Sequence, residues 1–480
     1  MPPAPAPALT VNPLSLGLDA FHAVTASFYS GIATARTTFE CVIEPTPGAA
    51  DSGFRVLAGI EPLLDALERF RIKSDEVGYL REIGAIDGDV ARKLDGARFT
   101  CDVDAVPEGS VVFPGQPVLA IEGPFWQAQL MEAWVLSSID AATQVASHMA
   151  RCVLAAEGAE IVEAGATLLG RLGGNALHAR AAFVGGAGAS THALAGRRYG
   201  VPIRALQPVS FVLGSKGEQE AFEAWLRSVP EQPIVRIDVR DTIGAIERVV
   251  AAARAKATAS WSDAPIAIEM NATDVLDAWP IAYERFAKAG LKEPVIVVSG
   301  AASPDHIGEL RRSGAPVAAF VVSPEVAPDL RASYSLVAID DAGQWSPRLR
   351  VSTASGAIGV PGRKVVLRYF DADGHPVGDV AHAANERHMT ARDAKLADRR
   401  SGYTMRLRDA VSSAPLLRKV MGAGKRVAST EPARELRDRS LRAVQSLLPK
   451  HRRLHAPAHY PSGLTTTLAA LRDELSLPAK

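Results

Sequence analysis

The runs AEIVEAG (159–165), PIRALQPVSFVL (202–213), PIVRIDV (233–239), APIAIEM (264–270), PVIVVSG (294–300) and PVAAFVV (316–322) decide the fold. Each is short, apolar and rich in β-branched residues. Between the later ones lie helical patterns: EQEAFEAWLRSV (218–229), TIGAIERVVAAARAKA (242–257), DVLDAWPIAYERFAKAG (274–290) and DHIGELRRSG (305–314). Strands buried on both faces read as nearly continuous apolar runs, and repeated strand-then-helix units pair in parallel. The sequence therefore predicts an α/β domain, either a barrel or an open doubly wound sheet, and of the two we favour barrel-like closure. In both, ligands belong at the carboxyl ends of the strands, so the residues just after each run are the ones to inspect.

Working outward, residues 1–18 are a Pro- and Ala-rich arm without the basic and apolar regions of a signal peptide. Residues 19–124 mix strand and helix patterns and read as an α+β domain. Residues 125–157 contain almost no breakers and read as one long connecting helix. The barrel-like domain is assigned to 158–334. In 335–480 a β return around an Asp-Gly turn (RKVVLRYFDADGHPVGDV, 363–380) precedes a charged segment, helical from about Ala381, that packs on the N-terminal domain. Its basic residues, among them Arg399, Arg400, Arg418, Lys419, Arg452 and Arg453, read first as a solvated surface.

At 480 residues and 47% hydrophobic content the chain buries a large core and exceeds one domain. Lys+Arg and Asp+Glu balance at 53 each, which argues against a nucleic-acid or membrane-surface partner. No apolar run reaches the roughly 18 residues of a membrane span. Cys41, Cys101 and Cys152 are too few for a disulfide framework and too widely spaced for a local metal motif, so a reducing cytoplasm is the expected compartment. No Walker A, HExxH or clustered Cys/His pattern is present.

Taken together, VLAGIEPLL (56–64), EGSVVFPGQPVLAIEGP (108–124), QLMEAWVLSSI (129–139), ARAAFVGGAGASTHALAGRRYGVP (179–202), DVRDT (238–242), VPGRKVVLRYFD (360–371) and HYPSGL (459–464) resemble the nicotinate phosphoribosyltransferase family, over nearly the whole chain. The resemblance implies a type II phosphoribosyltransferase: an N-terminal domain, an irregular α/β barrel and a homodimer. It implies transfer of 5-phosphoribosyl diphosphate to nicotinate, with Mg²⁺ and with ATP hydrolysis coupled through a phosphohistidine. Such chemistry needs acids to orient hydroxyls and metal, and arginines and Gly-rich backbone to hold phosphates.

Against that pattern the chain departs at several positions. Val209, before Ser210, stands where the family has its histidine. Thr167 and Leu168 replace an arginine pair, removing contacts worth about 1.5–3 kcal/mol each. Ala272 replaces a second acid beyond Glu269 unless Asp274 shifts inward. Ala301 replaces the aspartate after Ser299 and Gly300, and Val321, Ser323 and Pro324 occupy the last phosphate loop, where proline has no N–H to offer. Leu16 to Asp19 occupy the place of a Thr-Asp-x-Tyr signature. His178, His192 and His306 are the nearest histidines and read as surface or capping residues.

Glu163, Arg180, Ser210, Asp238, Asp241, Thr242, Glu269, Ser299 and Gly300 remain as a candidate residual pocket for a small anionic or heterocyclic ligand. The same residues equally suit capping of helices and bracing of the barrel rim. GGAGAS (185–190) suits either a phosphate cradle or a tight strand-to-helix turn. Three functions follow: a homologue that binds without catalysis, an enzyme retargeted to a ribosyl or heterocyclic substrate, or an active nicotinate phosphoribosyltransferase. The pattern ranks them in that order.

Overall fold

The computed structural model describes residues 12–46, 53–165, 175–229, 233–257, 265–301, 303–323, 330–351, 359–398 and 402–476. Thr167, Leu168 and Pro324, with Arg399, Arg400 and most of the N-terminal arm, lie outside them. Two compact units emerge: residues 1–144, 327–431 and 438–480 form the first, and 145–326 with 432–437 the second.

The first unit holds a seven-stranded antiparallel sheet in which Arg36–Pro45 lies between Pro117–Pro124 and Leu330–Asp341. The Asp-Gly turn forms as expected. Asp371 accepts the N–H groups of Asp373 and His375, Gly374 takes φ +82°, and Lys364–Phe370 pairs antiparallel with Pro376–Ala383. The segment after Ala381 departs from the helical expectation. Strands Lys395–Asp398, Thr404–Arg406, Ser412–Pro415, Arg418–Gly422 and Lys425–Arg426 precede the helices Ala433–Gln445 and Thr466–Ser476. Most of these short strands find their partners far along the chain, as in Arg418 opposite Ala105 and Leu367 opposite Pro415. Remote pairing of this kind overrides local propensity. The stretch 125–157 likewise is not one helix, for a turn at Met131 separates Phe125–Leu130 from Glu132–Ala155. No described helix is long and apolar enough to cross a membrane.

In the second unit six parallel strands run in the order Ala189–Ser190, Glu160–Glu163, Val317–Val322, Val295–Ser299, Ala267–Asn271, Ile234–Arg236. Their cores, such as Ile161, Val298, Phe320 and Ile268, are buried. The expected strand at 202–213 is reduced to two parallel bridges, Ser190 with Ile203 and Leu206 with Ile234. Those two bridges tie one edge of the curled sheet to the other, so this segment provides the barrel-like closure. It cannot ladder further because Pro202 and Pro208 have no N–H. After Pro208 the chain turns directly into the short helix Val209–Gly214.

Candidate functional site

Glu163 closes its strand and is fully buried, accepting the Ser190 hydroxyl at 2.6 Å. Ser190 Oγ in turn accepts the amide of His192, and His192 Nδ1 accepts the amide of Ala195, capping the helix Ala193–Tyr199. His192 is thus a helix cap with one ring nitrogen committed. The GGAGAS turn is equally engaged: the amides of Gly185, Gly186, Ala187 and Gly188 donate to the carbonyls of Ala181, Phe183, Ala182 and Ile161. A Cβ on Gly185 would stand 2.3 Å from the Ala146 carbonyl oxygen, and one on Gly188 2.7 Å from Glu160. Close packing accounts for these glycines, and those four amides do not face a phosphate. Arg180 is buried on helix Asn175–Val184 with its guanidinium 5.6 Å from the Tyr199 ring centre.

At the ends of the next strands the rim residues brace one another. Asp241 accepts the amide of Gly244 and starts the helix Thr242–Ala257. Thr242 donates to Asp274 at 2.8 Å, Thr273 donates to Asp274 and to Asn271, and a Cβ on Gly300 would sit 3.1 Å from the Asn271 amide. Asp274 therefore does not reach inward to serve as the second acid. Ala301 is buried, Gly300 takes φ +82°, and Ser303 caps the helix Pro304–Arg312 by accepting the amide of His306. Ser323 follows Val322, whose carbonyl accepts the Ala164 amide. In the other unit, Asp19 is exposed in the first turn of Leu18–Tyr29.

Inside the strand ends a different group converges. Arg236 donates through Nε to Asp238 (2.8 Å) and through Nη2 to Ser299 (3.3 Å), and Nη2 lies 2.9 Å from Glu269 Oε1. Fully buried Gln207 accepts the Arg236 amide. Glu269 has no exposure and is held between the Arg236 guanidinium and Ser299. Burial pushes the Glu269 pKa up, opposed by the Arg236 charge and by a side-chain hydrogen bond with Ser299. Arg236 was invisible as a site residue in the sequence, its one signal being a charge inside the apolar run PIVRIDV. Val209 stands away from this group's burial, 41% exposed in the first turn of its helix, with Ser210 exposed beside it.

His178 is half-buried on the helix Asn175–Val184, its Nε2 lacks a partner, and burial pushes its pKa down to about 4. Between the unfolded value near 6.5 and the folded one, the unfolded chain binds more protons, so the stability His178 permits is intact above pH 6.5 and drains as pH falls to 4. The total is about 3 kcal/mol. Urea unfolding at stepped pH is expected to show that slope in the native chain and its loss in His178→Phe. Equal slopes would remove this account.

The curled parallel half-barrel sheet of one unit and the antiparallel sheet of the other define the class, a type II phosphoribosyltransferase fold. It is the fold of human nicotinic acid phosphoribosyltransferase (TM-score 0.78, 23% identity, 96% of this chain and 99% of that one) and of a nicotinate-nucleotide pyrophosphorylase from Pyrococcus furiosus (0.64, 19%, 90% and 95%). The nicotinate phosphoribosyltransferase N-terminal and C-terminal domain families match residues 21–140 and 363–472. Two nicotinate phosphoribosyltransferases of Mycobacterium tuberculosis are each 32% identical, one over 319 residues (65% of this chain, 67% of the relative) and one over 374 (75% and 79%). The chain belongs to the nicotinate phosphoribosyltransferase family.

Proposed function

We propose that this family member has lost the ATP-coupled transfer of phosphoribosyl diphosphate to nicotinate and uses the barrel to bind a ligand. What supports the reading is Val209: the sequence resemblance puts it at the family's histidine position, and its side chain, exposed and apolar, cannot accept a phosphoryl group. ATP coupling therefore has no residue to run through. Mg²⁺ fits no better, since Asp238 and Glu269 already face Arg236. Among the described residues the one group of three close metal-type ligands, Asp371, Asp373 and His375, is the hairpin turn of the other unit. The retained cluster of Arg236, Asp238, Glu269 and Ser299 favours a second reading, an enzyme retargeted to a ribosyl or heterocyclic substrate.

The deciding assay is pyrophosphate release from phosphoribosyl diphosphate with nicotinate, ATP and Mg²⁺. The expected outcome is release no faster than the protein-free control, for the native chain and for Val209→His alike, because a restored imidazole still lacks the Thr167 and Leu168 arginines. Nicotinate- and ATP-dependent release by the native chain would overturn the reading and support an active nicotinate phosphoribosyltransferase. Assembly as a homodimer in the cytoplasm belongs to the same proposal, checked by sedimentation and by localisation of a tagged chain.

A further inference from the structure

A second sheet of the first unit has six strands, in the order Thr404–Arg406, Lys395–Asp398, Ser462–Leu464, Pro376–Ala383, Lys364–Phe370, Ser412–Pro415, and its two edges are unlike. Ser412–Pro415 carries no charge and ends in a proline, which blunts it against further pairing. Thr404–Arg406 has no such stop and is exposed along its whole length. On its inner side the amide of Asp398 donates to the Tyr403 carbonyl and that of Leu407 to the Ala394 carbonyl. The bonded pairs of this antiparallel ladder therefore fall at Ala394 with Leu407, Leu396 with Met405 and Asp398 with Tyr403. Thr404 and Arg406 lie between them, so their N–H and C=O groups point out from the sheet at the spacing a further strand would need.

The two faces of this edge carry different chemistry. Met405 shares a face with its partner Leu396, which is buried with Tyr369, Val380 and Leu407, and at 38% exposure it extends that apolar surface to the rim. On the other face Lys395 stands directly opposite Arg406. Like charges so placed destabilise a ladder. Arg406 also donates to the Arg392 carbonyl at 2.5 Å, which brings a third cationic residue beside the pair. All three are exposed, and among the described residues none of them is ion-paired with an acid. Asp393, the nearest acid along the chain, accepts the Thr390 hydroxyl instead. A chain whose charges balance at 53 each thus leaves three cations without counter-charge at an open strand edge.

We propose that this edge docks an extended acidic protein segment, added to Thr404–Arg406 as a further strand, with an apolar residue opposite Met405 flanked by acids opposite Thr404 and Arg406. The outward groups of Thr404 and Arg406 supply the main-chain bonds, and the alternation of faces sets the side-chain pattern. Met405 offers the apolar residue a place beside the Leu396 core, and the flanking acids give Lys395 and Arg406 the counter-charge they lack. A nucleic acid would neutralise the cations but would leave Met405 uncovered and the outward amides without strand partners. A second copy pairing edge to edge would bring two such cationic groups together. Charges that keep copies apart in this way select a partner of opposite sign. The surface belongs to the first unit and does not depend on whether the barrel has lost diphosphate transfer.

Fluorescence anisotropy on the full chain tests it with two labelled peptides of equal composition, the alternating Ser-Asp-Val-Glu-Val-Asp-Ser and the blocked Ser-Asp-Glu-Asp-Val-Val-Ser. The alternating peptide is expected to bind, and the blocked one to bind at least about tenfold more weakly. Thr404→Pro removes one outward N–H and leaves the bonds between Met405 and Leu396 in place, and it is expected to lower affinity at least about tenfold at unchanged charge. Lys395→Glu combined with Arg406→Glu should lose the acidic peptide and gain one in which lysines replace the acids. Silence with the alternating peptide, equal binding of the blocked one, unchanged affinity in a folded Thr404→Pro, or tighter binding of a single-stranded oligothymidylate would each overturn the proposal. Sedimentation completes the test: a dimer that Thr404→Pro dissociates would hand the edge to a second copy and overturn it too. The comparison of the two peptides on the native chain stands even if a variant does not fold.

Discussion

Asp379→Ala is expected to destabilise the first unit by about 3–5 kcal/mol, lowering its unfolding transition by roughly 6–10 °C at every pH tested. Asp379 is fully buried and takes two bonds from Arg368 and one from the Tyr460 hydroxyl at 3.0 Å. Tyr460 is in turn stacked on Phe113, with ring centres 3.6 Å apart. Burial works against the charged guanidinium, and Asp379 and Tyr460 more than offset it, so Arg368 is held above its ordinary pKa. Without the carboxylate the cation cannot escape its cost by losing a proton, since a guanidinium stays charged throughout the accessible range. The loss is therefore flat with pH. Asp379→Asn keeps the shape and an acceptor, and should lose noticeably less. Differential scanning calorimetry at pH 5, 7 and 9 checks both, and a loss that faded toward either end would contradict the account.

Such a network was not legible in the sequence, because its members at 111, 368, 379 and 460 are joined only by folding. What was legible follows from local physics. A strand buried on both faces must be apolar throughout, so each barrel strand announced itself as a compact run, and the alternation with amphipathic helices implied parallel pairing. The closing segment was harder to read. Ile203 and Leu206 belong to an apolar stretch, but Pro202 and Pro208 limit its pairing to single bridges and the helix at Val209 begins where a strand was expected. The short C-terminal strands resisted for another reason: Ala397 pairs with Leu464 and Arg418 with Ala105, so their burial has no local period.

At the site, residue type alone left two roles open for every polar side chain, and geometry separates them. Asp241, Thr242 and Asp274 spend their hydrogen bonds on helix starts and on each other, as does His192. Asp238, Glu269 and Ser299 instead converge around Arg236. Arg236 escaped notice because its run is otherwise that of an ordinary core strand. A charge in such a run is informative on physical grounds, since an arginine is almost never buried without a partner acid.

Arg236→Leu carries the second large effect, and unlike the first it should depend steeply on pH. Removing the guanidinium leaves Glu269 as a buried carboxylate with no neighbouring cation among its described contacts, and raises further a pKa that burial already raises. An acid can neutralise itself, so the sign follows from where the protons sit. Above the unfolded value near 4.3 the unfolded chain has released its proton while the folded chain retains it. Stability therefore falls as pH rises from that value through the raised folded one, and is restored in acid. At pH 7 the deficit against the native chain is expected to be about 3–4 kcal/mol, shrinking toward zero near pH 4. Arg236→Leu combined with Glu269→Gln should recover most of the pH 7 loss, because the charge that had to be buried is gone. Urea unfolding of the native chain, the single variant and the double variant at pH 4.5 and 7.5 separates the possibilities. A deficit of equal size at both pH values would mean that Arg236 acts through packing of its aliphatic stem and that Glu269 is not the charge it balances.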